Sequence, residues 1–80
     1  MDARKMKKVV ATVIEKLEKL EQAELASELR WCWGSFQADG NPSGLVKAGA
    51  SALHVLQAAR EKKGKSVAKK LVEDLESALA

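Results

Sequence analysis

One six-residue run, Trp31-Cys32-Trp33-Gly34-Ser35-Phe36, holds both tryptophans, the only cysteine and the only phenylalanine of the chain. The eight residues that follow, Gln37 to Gly44, hold the only proline and two of the five glycines. Bulky anchoring surface therefore closes one element just before the strongest turn signal, and the chain has to fold around that junction. On this reading the run is the structural hub, with Trp33, Cys32 and Phe36 expected in the core. It names no chemistry.

The elements on either side are helical by period. Met6, Val9, Val10, Val13, Ile14, Leu17 and Leu20 recur at three and four residues, which puts them on one face of a helix. Leu25, Leu29, Cys32, Trp33 and Phe36 form a second stripe, turned by roughly a third of a revolution from the first. The step from Leu20 to Leu25 causes that rotation. A turn near residues 21–23 explains it, and so does one long helix whose halves face different neighbours. No Gly or Pro marks a break there; the rotation leans toward two helices.

The next boundary is plainer. Asn41-Pro42 reads as N-cap and first helical position, because Asn accepts from free backbone N–H groups and Pro there forfeits no hydrogen bond. The helix that follows carries Leu45, Ala52, Leu53, Leu56 and Ala59, flanked by Val46 and Val55, and runs to about Lys62. Gly64 is expected to stop it and Ser66 to cap a last helix that uses Val67, Leu71, Val72, Leu75, Ala78 and Leu79. Short connections imply antiparallel neighbours. The expected architecture is an all-α, small antiparallel bundle of three to four helices, one domain over residues 1–80. Ala, Leu, Lys and Glu dominate and strand-favouring runs are missing, which agrees with it.

Composition narrows the function classes. One Cys makes no internal disulfide, so no oxidising compartment is needed. The apolar run after the basic N-terminus spans about six residues before Glu15 and Lys16 interrupt it, too short for an export or membrane segment. A cytoplasmic protein without a membrane partner is expected. One His and one Cys do not make a metal set, His54 falls opposite the apolar face of its helix, and no cofactor is expected. Cys32 lies on the core stripe and reads as a small apolar residue. There is no phosphate loop, nucleophile elbow or acid pair, so the chain is not expected to be an enzyme.

Two constellations could carry binding. If the chain turns near residues 21–23, Trp31 projects from the polar side of its helix, beside Glu28 and Ser35; in one unbroken helix it instead extends the first stripe, in line with Val13 and Leu20. Packed against another helix it is structural. Uncovered, it anchors a protein partner, since tryptophan is enriched among interface hot spots. The small residues Gly44, Ala48, Gly49, Ala50 and Ser51 likewise suit tight internal packing or a shallow groove for a partner helix. The second constellation is residues 60–70, with six basic side chains and one acid. Lys65, Ser66, Lys69 and Lys70 form a candidate anion site at a helix N-terminus. Pairing of Arg4, Lys5, Lys7 and Lys8 with Glu73, Asp74 and Glu76 would absorb part of the basic excess. The net charge of +3 is modest and no aromatics interleave with the lysines.

Phe36, Gly40, Ala52 and Leu53, within residues 29–62, resemble in spacing the aromatic, glycine and alanine–leucine positions of a single tetratricopeptide repeat. Leu45 stands where that repeat has a small residue and Gly49 where it has a large aromatic, and the glycine of the first helix is out of step. The segment reads as a generic helical hairpin more than a true repeat, and what the resemblance implies is limited to protein binding by such a hairpin. The functional expectation is a non-catalytic protein–protein interaction module, a small adaptor or a self-associating domain such as a homodimer. The alternative is a small basic nucleic-acid-binding regulator using residues 60–70.

Overall fold

A computed structural model describes residues 1–64 and 67–80. Four helices follow one another: α1 (Ala3–Lys19), α2 (Ala23–Asp39), α3 (Ser43–Lys62) and α4 (Lys69–Leu79). They form a small all-α bundle. α1 touches α2 and α4, and α3 closes the ring between them. Among the described residues α2 and α4 occupy opposite corners, with no Cα pair within 8 Å.

α1 starts on Asp2. Its Oδ1 accepts the N–H groups of Arg4 and Lys5 at 3.0 and 3.2 Å, and these bonds, Lys5's first, hold the carboxyl below its ordinary value. The backbone N–H of Asp2 also donates to Ala78 O at 2.8 Å, so the start of α1 lies against the end of α4. Lys5 Nζ donates to Ser77 Oγ at 2.8 Å one turn further on. The two helices are therefore antiparallel.

The rotation between the first two apolar stripes is a turn. Gln22 N–H donates to Leu17 O at 2.8 Å and Glu21 N–H to Glu18 O at 3.1 Å, the paired bonds of a Schellman stop. Glu21 occupies the left-handed position, φ 63°, which glycine usually fills. This explains the missing turn marker. At the next junction Gly40 has φ 75° and closes α2, its N–H donating to Phe36 O at 2.7 Å. Asn41 Oδ1 then accepts from Ser43 N–H at 3.0 Å, but the cap falls one residue later than expected: Pro42 holds it, its C=O accepting from Val46 N–H at 2.8 Å, and Ser43 is the first helical residue.

The core is aliphatic. Met6, Leu17, Leu29, Leu45, Leu56 and Leu75 are its largest fully buried side chains. Trp33, Cys32 and Phe36 are only half-buried and pack on its margin, with the Trp33 and Phe36 rings stacked at 5.8 Å. The aromatic run is thus an edge of the core and not its hub. α2 borders only α1 and α3, and its central Leu29 already fills the space between them.

α4 also differs from its expected outline. It begins at Lys69 with Ala68 at the cap position, so Val67 precedes the helix. Val67 is nonetheless 1% exposed and belongs to the core. The proposed cap Ser66 lies outside the described residues. In α3, the small Gly49 serves an internal neighbour: a Cβ there would stand 2.7 Å from Leu79 Cδ2 of α4. Gly44 likewise faces Cys32 Sγ across the α2–α3 contact, at 3.7 Å from its would-be Cβ.

Candidate functional site

Helical geometry decides which α2 side chains reach solvent. With α1 and α3 covering Ala26 and Leu29, the opposite face presents Glu24, Ser27, Glu28, Trp31, Gly34 and Ala38, all exposed. Trp31 is 75% exposed, the sole large hydrophobic side chain so placed among the described residues. Of the candidate partner-binding residues, Trp31 and Ser35 border one small cleft of about 130 Å³ between α2 and the start of α3. Glu28 stands one turn N-terminal to that cleft and does not line it.

Cys32 shares the cleft. Burial, and then the negative charge of Glu28, push its thiol above the ordinary value of 9.0. Such a thiol stays protonated near neutrality, the reverse of what a nucleophile or metal ligand needs. His54 is exposed. Among the described residues no three His, Cys, Asp or Glu side chains group as a metal set, and no helix is long and apolar enough to cross a membrane.

The candidate anion residues are distributed differently. Lys65 and Ser66 lie outside the described residues. Lys69 and Lys70 flank α4 on two sides: Lys69 borders a groove toward Arg60 and Glu61 of α3, and Lys70 borders one toward α1. The structure does not bring these two lysines together. The expected ion pairs between the basic start of α1 and the acids of α4 do not form either. The ion pairs among the described residues are Lys19–Glu15 at 3.3 Å and Arg30–Glu18 at 3.1 Å. Lys5 takes the hydroxyl of Ser77 instead of an α4 carboxylate.

The α1–α4 groove is the feature that sequence reasoning missed. It measures about 470 Å³; Val9 and Leu71 form its apolar floor, and Lys5, Lys8, Lys70 and Asp74 stand around it. The signals in the sequence were the run of lysines on α1, which reads equally well as an ordinary solvated face, and their expected proximity to the acids of the last helix, which pointed to the juxtaposition without showing a groove. Comparison of the chain with protein-family models, with curated proteins and with solved structures gives no match.

Proposed function

We propose that this chain is a non-catalytic interaction module that binds another protein chain through the Trp31 face of α2. The observation that carries the reading is the exposure of Trp31, 75%, in a fold whose other large apolar side chains are buried or half-buried. An indole left in water gains nothing for folding. Covered by a partner it removes much apolar area from water at little conformational cost. Glu24 and Glu28 give the face two acids, Arg30 beside Trp31 is paired with Glu18, and Ser27, Gly34 and Ala38 let a partner's backbone come close.

The test compares the chain with its Trp31→Ala variant. Thermal melting should be unchanged, since the side chain supports no neighbour in the core. Capture of a native-lysate protein on the immobilised chain should fall about thirtyfold in affinity, the equivalent of roughly 2 kcal/mol for a hot-spot truncation. Equal capture by the two proteins, or a large fall in melting temperature with capture retained, would refute the reading.

A further inference from the structure

The face and the groove complement one another. The solvent face of α2 sets two acids, Glu24 and Glu28, beside the apolar anchor Trp31; its one cation, the exposed Arg30, is engaged by Glu18 of α1 at 3.1 Å. The α1–α4 groove is the reverse, an apolar floor of Val9 and Leu71 beneath three lysines and one aspartate. Its volume, about 470 Å³, lies within the range of roughly 300–1,000 Å³ typical of ligand sites. Lysine stems add apolar wall while their ammonium groups stay at the rim, where they can meet both carboxylates and the indole face. Among the described residues Asp74 is the one α4 acid at this rim, it forms no ion pair with the lysines, and the rim keeps an excess of positive charge. Face and groove belong to different helices, α2 against α1 and α4, and the helices α2 and α4 sit at opposite corners. One molecule can therefore use both at once.

We propose that the Trp31-bearing face of α2 docks into the α1–α4 groove of a second copy of this chain, an acidic helix in a basic groove. The inference rests on the reading of Trp31 as a docking anchor and names its partner. The contact is head-to-tail: each copy offers a face to one neighbour and a groove to another, so assembly extends into a ring or an open string. Pairing α2 with α2 would set Glu24 and Glu28 against a surface whose one cation, Arg30, is already held by Glu18. Docking into the groove supplies three.

Head-to-tail geometry makes a test by complementation possible. Two variants are prepared: Trp31→Ala, with an intact groove, and Lys8→Glu/Lys70→Glu, with an intact face. The substituted side chains are exposed, and far-ultraviolet circular dichroism checks that both variants keep the helical fold. In sedimentation velocity at low ionic strength, the unaltered chain should grow in mass with concentration, and 0.5 M salt should reduce that growth severalfold. Each variant alone should be monomeric. An equimolar mixture should form a complex of two chains and nothing larger, because one intact face meets one intact groove.

A monomeric unaltered chain at all concentrations would overturn the inference. So would a mixture that stays monomeric, or either variant forming dimers by itself. The outcome for the Trp31 face remains separate. A monomeric chain that still captures another protein in a Trp31-dependent way refutes self-docking and keeps the anchor, whereas Trp31-independent capture refutes both.

Discussion

Gly34 and Gly40 offer the same chemical change with opposite expected signs. Both are exposed, and a Cβ built on either would meet nothing within 4 Å. Sterics from neighbours are thus removed from the comparison and only the backbone remains. Gly34 lies inside α2 with ordinary helical geometry, where glycine is less favourable than alanine by about 1 kcal/mol because it surrenders more chain entropy. Gly40 has φ 75° and terminates the same helix, where an L-residue costs about 1–2 kcal/mol. Gly34→Ala should therefore stabilise by about 1 kcal/mol and Gly40→Ala should destabilise by about the same amount or more. For a chain of 80 residues, an unfolding entropy of about 2.1 cal/mol/K per residue converts 1 kcal/mol to roughly 6 °C in melting temperature. Melting followed by circular dichroism at 222 nm would read both shifts, about +6 °C and about −6 °C or lower. Shifts of the same sign would refute the backbone argument. The Gly34 variant also bears on docking, because its new methyl sits on the Trp31 face. It should raise stability while leaving association equal or weaker.

Glu21→Gly should raise stability by about 1 kcal/mol by relieving the left-handed position of the α1 stop, visible as a higher urea midpoint at unchanged m-value. Val67→Ala should cost roughly 2 kcal/mol although Val67 lies outside any helix, because two methyl groups leave a filled core; a midpoint unchanged within error would remove Val67 from it. The raised Cys32 pKa means less thiolate at any pH below it. Alkylation by iodoacetamide at pH 8 should run slower than for free cysteine, with the rate profile displaced to higher pH. Glu28→Gln should move that profile back down in part, and a profile at or below that of free cysteine would contradict the burial of the thiol.

The sequence by itself determined the helical bundle. Apolar residues at three- and four-residue spacing marked the buried stripe of α1 from Met6 to Leu17, and Asn41-Pro42 marked the start of α3, because periodicity and capping are properties of a single segment. Trp31's place on the polar side of α2 was also visible, once the chain turned near Glu21. The stripe rotation leaned toward that turn without excluding one long helix: the stop uses a glutamate at positive φ, and its cost is met by bonds that only the folded backbone makes. The margin position of Trp33, the burial of Val67 and the division of Lys69 from Lys70 between two grooves depend on which helices stand beside which. A helical wheel gives a direction around one axis and says nothing of the neighbour found there. Tertiary structure alone decided that Leu29 would fill the space between α1 and α3 and leave the aromatics at the edge. It alone placed α1 against α4 with lysines along their common groove, because those contacts join residues some 60 or more positions apart along the chain.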